Sequence, residues 1–315
     1  MHETPKPLVD VANLVVSFNQ SGGGTFRAVD DVSLAIAPGE VVGLVGESGS
    51  GKTTLAKTIL RLYQPAGGTV RFDGEDITSL GEGALRPIRR QMQMVFQDPL
   101  SSFNPRIRIG EALALPLRLH KRGAADEIDG KVTQLLSQVG LGGQFAGRYP
   151  HEMSGGQLQR VAIARALAVE PRLIVADEAV SKLDVSVRAQ ILNLLREVQA
   201  ATGVALLFIT HNLKVARYLC DRIGVMFFGR LVELGAPEDV FAKPRHPYTR
   251  ALLSTLNDDG GELAALEPPA PASSGGCRYR SRCPVARASC AQHRPELQPT
   301  ADGKQAVACP YVLGG

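Results

Sequence analysis

The chain has 315 residues, which at roughly 150 residues per domain predicts about two domains. Hydrophobic residues make up 44% and charged residues 21%, which excludes a disordered or collagen-like chain. Its 35 lysines and arginines against 31 aspartates and glutamates leave +4, too weak a field to mark a nucleic-acid binder by itself.

No apolar run approaches the roughly 18–20 residues of a membrane-spanning helix. Met1–Val15 carries Asp10 inside its most apolar stretch and shows no cleavage-site pattern, so a cytosolic soluble chain without a signal peptide is expected. Residues 8–45 read as strands. Val9, Val11, Leu14 and Val16 are apolar amid polar neighbours, Val32, Leu34 and Ile36 alternate with Asp31, Ser33 and Ala35, and Gly22-Gly23-Gly24 marks a turn between them. The run Glu40–Val45 predicts a buried parallel strand entering a glycine-rich loop, with a helix over Thr54–Leu62 beyond. From about Gln97 to Leu167 the spacing turns helical, with Leu113, Leu117, Leu135, Leu136 and Val139 as candidate apolar faces. A buried strand at Leu173–Ala176, a helix at Val187–Ala200 and a strand at Val204–Thr210 follow. This alternation predicts an α/β core with a largely parallel sheet and a helical insertion. Past Leu234 the character changes, residues 267–276 reading as a proline-, alanine- and glycine-rich linker. No internal repeat is visible.

The loop Gly46-Glu47-Ser48-Gly49-Ser50-Gly51-Lys52-Thr53 fits the phosphate-binding P-loop pattern, and Thr54 continues it into the helix. Its glycines let backbone N–H groups turn inward as an anion nest, and the helix aims its positive end at the phosphates. Lys52 would reach the β- and γ-phosphates of a nucleotide, and the Thr53 hydroxyl would ligate Mg²⁺. Asp177 and Glu178 end the buried strand that starts at Leu173. Asp177 would hold Mg²⁺ directly or through water, and Glu178 would polarise a water against the γ-phosphate as general base. Ser154-Gly155-Gly156-Gln157 opens a helix and offers a second anion-binding terminus, with Ser154 as the cap. One chain needs only one such cradle per nucleotide, so the second makes sense facing the nucleotide of another subunit; the plain alternative is an ordinary turn.

With these motifs in order, residues 8–235 resemble the ATP-binding subunits of ABC transporters. The resemblance also takes in Gln97 within Phe96-Gln97-Asp98-Pro99, Ser181-Lys182-Leu183-Asp184, and His211 within Ile209-Thr210-His211-Asn212. It implies a head-to-tail pair of subunits sandwiching two ATPs. Ser154, Gly155 and Gln157, with Gly156 in the same signature, would meet the partner's γ-phosphate. Gln97 would sense Mg²⁺ and the attacking water and connect to a transmembrane subunit; His211 would hold the γ-phosphate, and Asp184 would act across the interface. The family stacks adenine on an aromatic residue after the first strand, here Phe18, with Phe26 close enough to compete. Lys182 stands where the family has a small residue. The implied fold is α/β: a P-loop NTPase core with a mixed or parallel sheet, an N-terminal antiparallel β subdomain, a helical insertion and a small Cys-rich C-terminal appendage. The expected domains are residues 1–235, with a helical subdomain at about 97–167, and an extension at 236–315.

His246-Pro247-Tyr248-Thr249-Arg250-Ala251-Leu252-Leu253 resembles the C-terminal signature of the oligopeptide/dipeptide/nickel importer branch. Glu178-Ala179-Val180-Ser181, Asp184-Val185-Ser186 and Ser101-Ser102-Phe103-Asn104-Pro105-Arg106 agree with that branch and lean toward the second of its two ATPase types. That implies a second, different ATPase chain, two transmembrane permeases, an extracytoplasmic substrate-binding protein, no nucleic acid, and a peripheral place on the cytoplasmic face of the inner membrane. Peptides are the expected cargo, with nickel or another small solute as the alternative. A soluble ABC ATPase acting on nucleic acid is the rival of a different class. The other histidines match no catalytic position and read as surface or structural groups.

Cys220 stands alone, whereas Cys277, Cys283, Cys290 and Cys309 fall in the last 39 residues with the spacing C-x5-C-x6-C-x18-C. No pair has the short spacing usual for structural zinc. Three thiolates close together and a fourth from a distance suit a [4Fe–4S] cluster, with Arg278, Arg280 and Arg282 placed to offset its charge. Zinc, and unmetallated thiols or disulfides, remain the alternatives. The resemblance covers these four positions as well.

Overall fold

The computed structural model describes residues 6–19, 23–254 and 275–312. Gly22 of the glycine turn and residues 267–274 of the linker lie outside the described residues. Its strands, in chain order, are β1 (Val9–Asn19), β2 (Thr25–Ile36), β3 (Val41–Val45), β4 (Gly67–Phe72), β5 (Glu75–Asp76) and β6 (Met92–Val95). They continue with β7 (Leu173–Asp177), β8 (Ala205–Thr210), β9 (Arg222–Phe227), β10 (Arg230–Gly235), β11 (Gln298–Pro299) and β12 (Gln305–Val307). The helices are α1 (Lys52–Ile59), α2 (Glu82–Gln91), α3 (Ile109–Leu119), α4 (Ile128–Gln138) and α5 (Gly155–Leu167). After them come α6 (Val185–Thr202), α7 (Leu213–Leu219), α8 (Pro237–Ala242) and α9 (Pro247–Ser254). Two compact units result, one of residues 1–36, 41–79 and 210–315, the other of 37–40 and 80–209.

In the first unit β1 pairs antiparallel with β2 (Val9 against Ile36) and with β4 (Val9 against Phe72), giving the order β2-β1-β4-β5. The alternation of β1 buries Val9, Val11, Leu14 and Val16, each at most 1% exposed, so one face of this antiparallel sheet carries the packing. A second sheet in the same unit runs β11-β12-β10-β9-β3, with β3 parallel to β9 (Val42 against Arg222) and the remaining pairs antiparallel. All five residues of β3 are buried, as its unbroken apolar run requires. The tail carrying the cysteines belongs to this sheet, since β12 pairs with β10 through Glu233 against Val307.

In the second unit β6, β7 and β8 run parallel, Met92 against Leu173 and Leu173 against Ala205. β7 and β8 are buried along their whole length, consistent with a parallel sheet covered on both faces. Helices α3, α4 and α5 pack on one another as the helical insertion. α6 runs two residues further at each end than its periodicity predicts, and it stops where Gly203 adopts φ 66° as a left-handed cap. α1 starts at Lys52 rather than Thr54, because the loop glycines end at Gly51 and the peptide N–H groups of the next turn are already helical.

Candidate nucleotide-binding site

The P-loop connects β3 to α1 within the first unit. Gly46 has φ 151° and a Cβ there would collide with the Met226 carbonyl oxygen; Gly51 has φ 100° and would collide with that of Ala28. Only glycine lets the chain pass this close to β9 and β2. The Lys52 side chain is 4% exposed, and its ammonium donates to the Gly46 oxygen at 2.8 Å, the Glu47 oxygen at 2.7 Å and Ser50 Oγ at 3.2 Å. A buried cation held by carbonyl dipoles, at the start of a helix, is a strong local attractor for polyphosphate. Thr53 and Thr54 are half-buried in the first turn of α1. Ser48 and Gly49 form the exposed tip of the loop.

The second unit carries the carboxylates. Asp177 ends β7 and is 7% exposed, and Glu178 follows at φ 47°, a left-handed conformation uncommon for a non-glycine residue. The strained turn brings Glu178 Oε2 within 2.9 Å of Gln97 Nε2, which donates to it and reaches Ser181 Oγ at 3.4 Å. Ser154 caps α5: its Oγ accepts the Gln157 N–H at 3.3 Å, and Gln157 Oε1 accepts the Ser154 N–H at 3.0 Å. Ser154 and Gly155 are exposed at that terminus. A Cβ on Gly156 would run into Val187 of α6, so this glycine is needed for close helix packing. Asp184 is exposed at the start of α6, and the long side chain of Lys182 is exposed beside it.

Phe18 and Phe26 face each other across the β1–β2 pair and are 39% and 41% exposed. The Phe18 ring meets Tyr63 edge-on at 5.4 Å. His211 is exposed where β8 turns into α7, which Asn212 caps by accepting the Val215 N–H at 3.2 Å. His246 is 2% exposed, and burial lowers its pKa to about 3, leaving a neutral ring whose Nδ1 accepts the Tyr248 N–H at 3.1 Å. The structural reading of this histidine is the one the geometry supports.

Cys277, Cys283, Cys290 and Cys309 all line one cavity of about 330 Å³ in the first unit, together with Tyr279 and Tyr311. Burial is the main cause pushing the Cys277 and Cys309 thiols up. Among the described residues no group of three or more His, Cys, Asp or Glu side chains is gathered to hold a metal ion, which lends no support to zinc or to [4Fe–4S]. Arg278 does not serve the thiols as their spacing suggests. It donates to Asp30 Oδ2 at 2.7 Å and to the Phe228 carbonyl. The Asp30 carboxylate, only 2% exposed, holds this guanidinium by charge and hydrogen bond.

Three residues of the first unit escape the motif reading. Asp30 gathers Arg230 at 2.5 and 2.9 Å, Arg278 at 2.7 Å and Arg27 at 3.2 Å. Glu233, fully buried in β10, accepts the backbone N–H groups of Arg245 at 2.7 Å and His246 at 2.9 Å, and burial pushes its carboxyl up. This anchors the turn that delivers Tyr248, whose hydroxyl accepts the Glu47 N–H at 3.2 Å. Only the motif His-Pro-Tyr at 246–248 hinted at that last residue, and nothing in it points to the P-loop.

Residues 29–181 match the family model described as ABC transporter, and residues 232–290 match that described as oligopeptide/dipeptide transporter, C-terminal region. The chain is 46% identical over 307 residues to a Brucella ovis protein named for peptide import and ATP binding, across 95% of this chain and 96% of that one. It is 45% identical over 296 residues to the oligopeptide transport ATP-binding protein AppF of Bacillus subtilis, covering 91% and 90%. With the oligopeptide transport ATP-binding protein OppF of Salmonella typhimurium it shares 42% over 325 residues, covering 98% and 97%. Among solved structures, the dimeric ATP-binding cassette MJ0796 in a post-hydrolysis state bound to ADP and Pi superposes with TM-score 0.67 at 33% identity, over 73% of this chain and 98% of that one. Extensive identity over nearly the whole length, on an α/β cassette with the motifs in place, means that the chain belongs to the ATP-binding proteins of ABC transporters, in the branch that carries the oligopeptide/dipeptide C-terminal region.

Proposed function

We propose that this chain hydrolyses ATP to drive a membrane importer of peptides, as one of two ATPase subunits beneath two permeases served by an extracytoplasmic binding protein. The names of its relatives and the matched C-terminal region support the cargo class. No described helix is long and apolar enough to cross a membrane, so passage falls to partner subunits. The second ATPase is a different chain of the same branch, and the pair sits on the cytoplasmic face.

Residues 46–54 bind the phosphates, with Lys52 countering their charge. Thr53, Asp177 and Gln97 would hold Mg²⁺, which would supply charge neutralisation for the phosphates. A hydroxyl and a buried carboxylate are hard oxygen ligands and fit that ion. Glu178 takes the proton of the attacking water, held by Gln97, while His211 steadies the γ-phosphate. Ser154, Gly155, Gly156 and Gln157 close on the nucleotide of the other subunit, and Asp184 works at the same junction. Phe18 stacks on adenine. The observation that carries this reading is the 2.9 Å bond from Gln97 to Glu178, which aims a carboxylate on a strained turn at the end of a buried strand.

For the four thiols we infer a [4Fe–4S] cluster with a structural or regulatory role. It rests on their spacing and on the cavity they share.

The ATPase reading is tested with Glu178→Gln in the full chain. Hydrolysis should fall by about 10²- to 10⁴-fold while ATP binding persists and an ATP-bound dimer accumulates on gel filtration. Turnover at the unmodified rate removes Glu178 from the role of base.

A further inference from the structure

The peptide joining Gly46 to Glu47 is gripped on both sides. Its carbonyl accepts from Lys52 Nζ at 2.8 Å, and its N–H donates to Tyr248 Oη at 3.2 Å. Because the peptide group is planar, fixing both its C=O and its N–H fixes its rotation about the chain. Burial pushes the Tyr248 hydroxyl up, so it stays a neutral phenol whose oxygen accepts the amide.

Tyr248 is 1% exposed and has no freedom to drift. Its ring lies 4.6 Å from that of Phe227 and 5.6 Å from that of Tyr279, between Cys277 and Cys283, and Tyr279 also meets Phe227 edge-on at 5.2 Å. Its own N–H is taken by His246 Nδ1. A rigid aromatic cluster built by the C-terminal region therefore ends in a hydroxyl on the phosphate loop.

We propose that Tyr248 is a positioning residue of the nucleotide site, setting the orientation of the Gly46–Glu47 peptide and with it the seat of the Lys52 ammonium. The proposal rests on the reading of residues 46–53 as the phosphate loop. It gives the C-terminal region a direct hold on ATP affinity: whatever loosens the packing of Tyr279 loosens the loop.

The test compares Tyr248→Phe, Tyr279→Leu and Lys52→Ala with the unmodified full chain, by MgATP titration and by steady-state hydrolysis. Removing only the hydroxyl in Tyr248→Phe should raise the Kd for MgATP about fivefold, with KM rising by more than kcat falls and Tm little changed. Tyr279→Leu, which keeps the hydroxyl, should raise Kd in the same direction by less. In the unmodified chain the Glu47 amide should exchange with solvent more slowly than those of Ser48 and Gly49, a measurement that needs no variant. A Kd within a factor of two in Tyr248→Phe, or Glu47 exchange as fast as its neighbours, overturns the proposal. Unimpaired ATP binding in Lys52→Ala would instead remove the phosphate-loop reading, and the proposal with it.

Discussion

Arg278, next to a cysteine of the tail, donates to Asp30 Oδ2 at 2.7 Å across 248 positions of sequence. Asp30 is in turn the residue whose N–H donates to the Gly229 oxygen at 2.9 Å, and the Gly229 N–H donates to the Ser50 oxygen of the phosphate loop at 2.7 Å. Asp30 thus joins the tail, through its carboxylate, to the glycine-rich loop at residues 46–53, through its backbone N–H and Gly229. Burial alone would raise its pKa, but the hydrogen bond from Arg230 and the charges of Arg230, Arg278 and Arg294 outweigh it and hold the carboxyl below its ordinary value.

Asp30→Asn should therefore destabilise the protein by about 1.5–3 kcal/mol at pH 7, because it leaves partly buried guanidinium groups without their counter-charge. The folded pKa lies below the unfolded value of 3.8, so the unfolded chain takes the proton first as pH falls. The contribution of Asp30 is therefore complete above pH 3.8 and lost below it. Urea melts of both proteins should show a gap that is constant near neutrality and closes as pH falls through that range. A gap that widens on acidification would contradict the assignment.

Ser154→Ala removes one half of the reciprocal cap on α5, a loss of about 1 kcal/mol in helix stability. Its larger effect should fall on catalysis, since the proposed target of Ser154 is a phosphate on the other subunit. Turnover at saturating ATP should drop roughly tenfold or more, as for a lost bond to a charged group, with nucleotide affinity of the isolated chain changed far less. Paired turnover and binding measurements separate the two.

The thiols should divide into two classes. Cys220 is 7% exposed, and burial, with the Asp221 charge adding to it, pushes its thiol far above the ordinary range, so a thiol reagent at pH 8 should reach it only after unfolding. In the same anaerobic preparation, about four iron and four sulfide per chain would uphold the cluster reading of the tail, with the tail thiols protected until iron is removed. Zinc without iron, or four thiols titrating at once, would discard it.

The glycine-rich loop was legible because its backbone demands are local. Gly46 and Gly51 mark a backbone that no side chain permits, and Lys52 follows within the same turn. Glu178 was legible for the same reason, at the end of an unbroken apolar strand. The contacts of the tail were not. Tyr248 meets Glu47 across 201 positions, and no periodicity encodes such a distance. Arg278 shows how neighbourhood in sequence misleads: three arginines interleaved with cysteines suggested local compensation, but the buried carboxylate of Asp30, distant in sequence, takes Arg278 instead. The extent of α6 was understated because its first turn, from Val185, is exposed and carries no apolar stripe.

The pairing of β12 with β10 also decides what the protein shows to its neighbours. β10 contributes Leu231, Val232 and Leu234, and its ladder is completed by three residues of the tail, beyond which β11 ends the sheet in Pro299. Proline has no N–H to offer another strand, so the rim is blunted. A chain cut short before residue 275 would hand that rim to β10, an apolar strand with open donors and acceptors. The tail then caps a strand edge that would otherwise be open to strand-to-strand self-association in the finished protein, a consequence separate from anything it does for ATP.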